Sequence, residues 1–177
     1  GGAMFTNDDE IAKNLKMIAN HGQEVKYYHK VTGCNSRLDS IQAAILNIKL
    51  KHLEDYSASR NKMAEEYDRH FSKINELSIP KRQYNSTHVF HQYTLKTKGV
   101  DRNALQTFLS EKKIPAMVYY PVALHNQKAY KRDGVVDADF PVTMDLCDCV
   151  ISLPMHTELD SEQLEYITNS VKEFFNK

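Results

Sequence analysis

Gly33-Cys34-Asn35-Ser36-Arg37-Leu38-Asp39-Ser40-Ile41-Gln42-Ala43-Ala44-Ile45-Leu46 is a turn signal, then two polar side chains two positions apart, then a helix with no polar face in its first turns. Gly33 can take backbone angles that other residues avoid, so it suits a sharp bend. Asn35 and Arg37 follow on chain expected to be extended, where residues i and i+2 point to one side. Asn35 brings neutral donors and an acceptor, and Arg37 brings a permanent cation in a planar fork. Such a pair can hold an anion, with phosphate the obvious candidate. A plainer reading fits the same residues: Asn35 caps a turn and Arg37 pairs with Asp39 at the surface.

Downstream of this stretch, no Gly or Pro occurs from Leu38 to Ile74. Apolar residues first surround the expected helix (Ile41, Ala43, Ala44, Ile45, Leu46, Ile48, Leu50) and then narrow to one stripe (Met63, Ala64, Tyr67, Phe71, Ile74). A helix of that length spans about 50 Å. Its first half is expected to be buried on several sides and its second half on one face, as in a helix that passes from one domain into another.

Upstream, Gly1 to Thr6 reads as a glycine pair running into a short apolar strand, and Asn7-Asp8-Asp9 as a helix cap with acids in the first turn. Ile11, Leu15 and Ile18 share one helical face, and Asn20-His21-Gly22 ends that helix. The polar, Tyr/His-rich stretch from Gln23 to Thr32 has neither helical nor strand period and reads as loop. One strand and one helix bury little, so this opening reads as the tail of a larger domain.

After Ile79-Pro80 the texture changes. His88 to Leu95 alternates and reads as a strand, with Val89, His91, Tyr93 and Leu95 on one face and His91 in the core. Asp101 caps a helix that turns Leu105, Phe108 and Leu109 inward, and Ile114 to Tyr120 is a second strand stopped by Pro121. Phe140-Pro141 opens a short helix, Val150 to Pro154 is a third strand, and Asp160 with Gln163 forms a capping box. The last helix presents Leu164, Ile167, Val171, Phe174 and Phe175. The fold class expected is α+β, an α/β sandwich with helices on one face of a small sheet.

Composition excludes several classes of function. The 177 residues carry 23 basic and 23 acidic side chains, a balance that argues against a nucleic-acid partner. No apolar run approaches the length of a membrane span, and no signal-peptide pattern opens the chain. The three cysteines, Cys34, Cys147 and Cys149, form no disulfide framework and no metal set, which suits a reducing cytoplasm.

The residues named so far resemble the DegT/DnrJ/EryC1/StrS family of pyridoxal-phosphate sugar aminotransferases, in its C-terminal half. The markers, in order, are Gly1 to Asp8, His21-Gly22, the segment from Gly33 to Leu46, Arg60 with Ala64 and Tyr67, His91-Gln92-Tyr93-Thr94, Tyr119-Tyr120-Pro121 with Leu124-His125, and Ile151 to His156. The resemblance implies a fold-type-I enzyme. Residues 1–36 would be a remnant of the large cofactor-binding domain, 37–76 a long connecting helix, and 77–177 the small C-terminal α/β domain. It implies that the Schiff-base lysine lies upstream of this chain. The chain alone is then expected to be inactive and to hold no covalent pyridoxal phosphate. Lys13, Lys16, Lys26 and Lys30 sit in polar settings unsuited to imine formation.

By resemblance, Asn35 would reach across a homodimer to the cofactor phosphate, and Arg37 would meet the acidic part of a nucleotide sugar. Tyr119 and Tyr120 would form the mouth of the sugar pocket, where some relatives have His in the first position, and His125 would border it. His29 reads as solvated. The implied reaction moves an amino group from glutamate to a nucleotide-linked keto-sugar in surface-polysaccharide or O-antigen biosynthesis. The alternative is a stand-alone, non-catalytic module that binds a sugar nucleotide or serves assembly.

Overall fold

A computed structural model describes residues 2–176, which divide into a unit ending at His52 and a unit beginning at Leu53. In the first unit, α1 (Asp9–Ile18) is followed by a hairpin of β1 (Gln23–Val25) and β2 (Tyr28–His29), and then by α2 (Ser40–Lys49). The Asp8 carboxylate accepts from the Ile11 amide at 2.9 Å, so the expected acidic cap is present. Residues 2–6 form no strand, and Gly1 lies outside the described residues.

The segment read as loop is the hairpin, with Lys26-Tyr27 as its two-residue turn. Tyr27 sits at φ 73, the left-handed geometry that closes tight hairpins. A tyrosine there carries none of the usual Gly or Asn signal, so local composition hid the turn.

Gly33 is needed for a different reason from the one its sequence suggests. Its φ is ordinary, but a Cβ there would stand 2.2 Å from the Gly22 amide nitrogen and 2.5 Å from the Ile18 carbonyl oxygen. The chain from 33 to 36 is docked against the end of α1. Cys34 and Ser36 donate their amides to the Ile18 and Ala19 carbonyls, each at 2.9 Å, and His21 donates to the Cys34 carbonyl at 2.9 Å. These bonds satisfy carbonyls that a helix C-terminus otherwise leaves open. Gly22, at φ 75, faces Val31 just as closely.

The single long helix expected from Leu38 to Ile74 is divided. After α2 the chain tightens into a 3-10 turn at Leu50–His52, and α3 follows over Leu53–Phe71. No Gly or Pro marks the change, so residue spacing could not register it. None of α2 is buried, and Ile41 is 76% and Ile48 64% exposed, against the expectation of burial on several sides. Apolar character says that a surface can be covered; it does not supply the cover.

The second unit continues from α3 through β3 (Leu77–Ser78), β4 (Tyr93–Thr97), α4 (Arg102–Glu111), α5 (Pro141–Cys149), β5 (Val150–Leu153) and α6 (Ser161–Phe175). The sheet order is β3-β4-β5, antiparallel throughout, with Tyr93 opposite Leu153 and Leu95 opposite Ile151. These four side chains share one face and enter the core with Ala64, Tyr67 and Phe71 of α3, Leu105 and Leu109 of α4, and Leu164, Ile167 and Val171 of α6. Burying each large side chain contributes about 1.5–3 kcal/mol. Tyr67 donates to the Pro154 carbonyl at 2.8 Å and Tyr93 to the Asp68 carboxylate at 2.7 Å, while Arg82 holds the second oxygen of Asp68. Burial, joined at Tyr93 by Asp68, pushes both phenols far above their ordinary range.

Three expectations in this unit need correction. The strand begins at Tyr93, not His88, because Phe90 takes φ 44 and its amide turns to His88 Nδ1 at 2.9 Å. That twist sends Phe90 into the core and leaves Val89 and His91 exposed, so His91 is no core histidine. The stretch from Ile114 to Tyr120 makes only a bridge between Met117 and Ser152, since Pro115 has no amide to donate to a ladder. The short strand β3 carried no sequence signal of its own. By contrast, α4, α5, β5 and α6 lie where their patterns put them.

Candidate functional site

The docking of residues 33–36 on the end of α1 brings Asn35 beside Asn20, and the two form an isolated antiparallel bridge. Arg37 Nε donates to Asn35 Oδ1 at 3.1 Å and Arg37 Nη1 to Asn20 Oδ1 at 2.9 Å. The two side chains singled out by their spacing therefore lie together, exposed, with the guanidinium steered by two amide oxygens. The ion pair of Arg37 with Asp39 is not formed. Asp39 instead caps α2 by accepting from the Gln42 amide at 2.8 Å. Asn20 was read only as a helix stop. It is separated from Arg37 by 17 positions, and no local pattern links them.

In the second unit, the chain leaving the Met117 bridge delivers Tyr119 and Tyr120, whose rings meet edge to face with centroids 5.5 Å apart. The peptide bond between them is cis. Tyr119 is 37% and Tyr120 71% exposed. Behind them lies a pocket of about 230 Å³, walled by Val122, Ala123 and Leu124 on the loop side, Thr143, Leu146 and Cys147 of α5, and Val150. Three hydroxyls, one thiol and hydrocarbon line it, and no charged side chain does so among the described residues. The walls from α5 were missed by sequence reading, because they lie more than twenty positions from the tyrosines.

A second hollow, of about 440 Å³, shares Leu124 and Thr143 with the first and includes His125, Tyr130, Arg132 and Phe140. His125 is committed within it. Its Nε2 donates to Asp137 Oδ1 at 2.9 Å, and its ring stacks on Phe140 with centroids 4.7 Å apart. Asn126 Nδ2 donates to the same Asp137 oxygen at 2.7 Å. The Asn126 amide first, and His125 second, hold the Asp137 carboxyl below the usual range. His125 thus clasps the loop that carries Leu124, and its side chain is 11% exposed. His29, read as solvated, is exposed, though its Nδ1 also donates to the His21 carbonyl at 2.8 Å.

Pyridoxal phosphate would need an anion site and an amine kept neutral by burial or a neighbouring cation. The Asn35–Arg37 pair fits a phosphate. The lysines read from the sequence do not fit the amine, nor does Lys112. Lys13 and Lys30 flank Glu24 at 2.5 and 3.2 Å, and the bond to Glu24 raises the Lys13 ammonium rather than lowering it. Lys16 and Lys26 are exposed. Lys112 is raised by Glu173, 2.9 Å away. No group of His, Cys, Asp or Glu among the described residues could hold a metal ion, and no described helix is long and apolar enough to cross a membrane.

Among curated proteins, the chain is 41% identical over 99% of its length to a pleiotropic regulatory protein of Geobacillus stearothermophilus, covering 47% of that protein. It is 40% identical over 94% of its length to the UDP-2-acetamido-2-deoxy-3-oxo-D-glucuronate aminotransferase of Pseudomonas aeruginosa, covering 45% of it. Among solved structures it superposes on S. venezuelae DesV, determined in complex with a ketimine intermediate, with a TM-score of 0.89 and 31% identity over 97% of this chain and 46% of that one. The chain spans about half the length of the curated relatives it matches. The model of the DegT/DnrJ/EryC1/StrS aminotransferase family matches residues 1–172, and the chain belongs to that family.

Proposed function

We propose that this chain is the C-terminal part of a pyridoxal-phosphate-dependent aminotransferase that acts on a nucleotide-linked keto-sugar. The observation that carries this reading is the Asn20–Asn35–Arg37 cluster, an exposed cation oriented by two amide oxygens. The coverage of about half of each relative supports reading the chain as one part of a longer enzyme, within which we assign 1–36 to a remnant of the cofactor-binding domain, 37–76 to the connecting segment and 77–177 to the small domain. The amine that anchors the cofactor then belongs to another part of the enzyme, and this chain by itself is inactive. The three free cysteines suit a cytoplasmic enzyme.

When bound, pyridoxal phosphate supplies the electron sink for moving an amino group between an amino acid, here assigned as glutamate, and the sugar ketone. The chain's own residues bind and orient. Asn35 donates its amide N–H to the cofactor phosphate of the partner subunit in a homodimer, and the free edge of Arg37 meets the diphosphate of the sugar nucleotide. Tyr119 and Tyr120 cover a face of the sugar, their rings excluding water and their hydroxyls bonding to it. His125 borders this region through its clasp on Asp137. The product enters surface-polysaccharide or O-antigen synthesis.

The test uses the full-length enzyme. Asn35→Ala is expected to weaken pyridoxal phosphate retention by about tenfold in equilibrium dialysis, the loss of one hydrogen bond to a charged group. Arg37→Lys is expected to raise the KM for the nucleotide sugar with kcat little changed, because an ammonium cannot reproduce a two-point fork. Unaltered retention and unaltered KM would remove this cluster from the site.

A further inference from the structure

Helix α4 reaches both sides of the tyrosine pocket without lining it. Arg102 and Gln106 stand at i and i+4, on one face of the helix. Arg102 Nη1 donates to the Val150 carbonyl at 2.9 Å, and Val150 belongs to the pocket wall. Gln106 Nε2 donates to the Ala116 carbonyl at 3.1 Å, on the stretch of chain that leads through the Met117 bridge to Tyr119. Leu105 and Leu109, both fully buried, fix α4 itself in the core. The wall side is the more constrained. α5 runs into β5 with no residue between them, so the carbonyls at this joint need partners outside the helix. Thr97 Oγ1 donates to the Cys149 carbonyl at 3.3 Å, and Arg102 holds the next one, at Val150. Thr97 is 7% and Arg102 6% exposed. The guanidinium's other bond is to Asn103 Oδ1 at 2.8 Å, so both acceptors of this buried cation are neutral oxygens. Burying a charge on such partners is expensive, and a packed apolar side chain would fill the space at lower cost. What the planar fork adds is direction: it ties the start of α4 to the point where α5 becomes β5.

We infer that Arg102, assisted by Gln106, is a positioning residue for the tyrosine pocket. It sets the spacing between the α5 wall, with Thr143, Leu146 and Cys147, and the tyrosine pair, and so tunes affinity for the sugar without touching it. This rests on the proposed function and adds to it two residues that stand outside the lining of the pocket. Release of the Val150 carbonyl leaves a buried acceptor unpaired and frees the α5–β5 joint to shift, carrying the wall with it. A rigid ring held between two walls is sensitive to such a shift, since a displacement of about 1 Å can cost on the order of a hundredfold.

The full-length enzyme, loaded with pyridoxal phosphate, is compared with its Arg102→Met, Arg102→Lys and Gln106→Leu variants. Arg102→Met fills similar space without donors. It is expected to raise the KM for the nucleotide-linked keto-sugar about tenfold, with kcat and the KM for the amino-acid donor within about twofold of the parent. Arg102→Lys keeps a donor for the Val150 carbonyl and is expected to recover most of the loss. Gln106→Leu is expected to raise the sugar KM about threefold, and it keeps the test available if Arg102→Met does not fold. The second readout is alkylation of Cys147, 7% exposed in the wall, by iodoacetamide with peptide mass spectrometry. Its rate is expected to rise at least about threefold in Arg102→Met, through local opening of the wall, and to stay at the parent rate in Arg102→Lys. Sugar and donor KM rising together, or kcat falling with both KM values unchanged, reports a general loss of active enzyme and overturns the inference. An unchanged sugar KM in Arg102→Met, or in Gln106→Leu where the first variant does not fold, overturns it as well. A parent enzyme that turns over no nucleotide-linked keto-sugar overturns the aminotransferase reading itself, and the Cys147 rate then still decides whether Arg102 holds the wall.

Discussion

His70 shows how one side chain ties two helices and ties stability to pH. Lys172 Nζ stands 2.7 Å from His70 Nδ1, and an ammonium can only donate, so the imidazole accepts and is neutral. Partial burial, then the charges of Lys172 and Arg69, lower its pKa, and Glu165 opposes them. A histidine depressed in the folded state contributes stability that is present above the ordinary imidazole value and lost as pH falls through the folded value. The thermal midpoint is therefore expected to drop on acidification through that range more steeply in the parent chain than in His70→Gln. Parallel profiles would show that the contact carries no linkage. At this same scale, the pairing of Asn35 with Arg37 was legible because two positions along extended chain share a side. The steering oxygen from Asn20 was not, since it reaches Arg37 only through the return of the chain onto α1.

Among the elements, α6 is the most completely written in its own residues. Asp160 accepts from the Gln163 amide at 2.8 Å and the Asp160 amide donates to Gln163 Oε1 at 3.3 Å, while Leu164, Ile167 and Val171 fall at helical spacing on the buried face. Asp160→Ala is expected to cost about 1 kcal/mol of unfolding free energy in urea titration, the usual worth of such a cap. No loss would mean that packing alone holds the first turn. Strands fared worse. β4 was displaced by the twist at Phe90, and the stretch from Ile114 to Tyr120 was reduced to one bridge. A strand's alternation is a weak signal when a proline or a positive φ can break the ladder without disturbing the pattern of apolar letters.

The whole molecule carries an imbalance. The second unit has a closed core, while α2 of the first exposes Ile41, Ile45, Leu46 and Ile48. Contiguous apolar surface of this kind drives association. The chain on its own is expected to self-associate in sedimentation velocity, with Ile41→Lys plus Ile45→Lys shifting it toward monomer. A monomeric parent chain at micromolar concentration would refute this.

The sequence by itself determined the caps, the helices α4, α5 and α6, the apolar faces of β4 and β5, and the family, because these depend on neighbours within a turn or two of chain. Only the tertiary structure decided that Gly33 serves close approach to α1 and not a left-handed bend. Only it decided that Phe90 displaces His91 from the core, that His125 clasps Asp137, and that the walls behind the tyrosines are uncharged. Each of these joins segments far apart in sequence, and which of them meet is settled by chain return and packing, quantities that no local periodicity encodes.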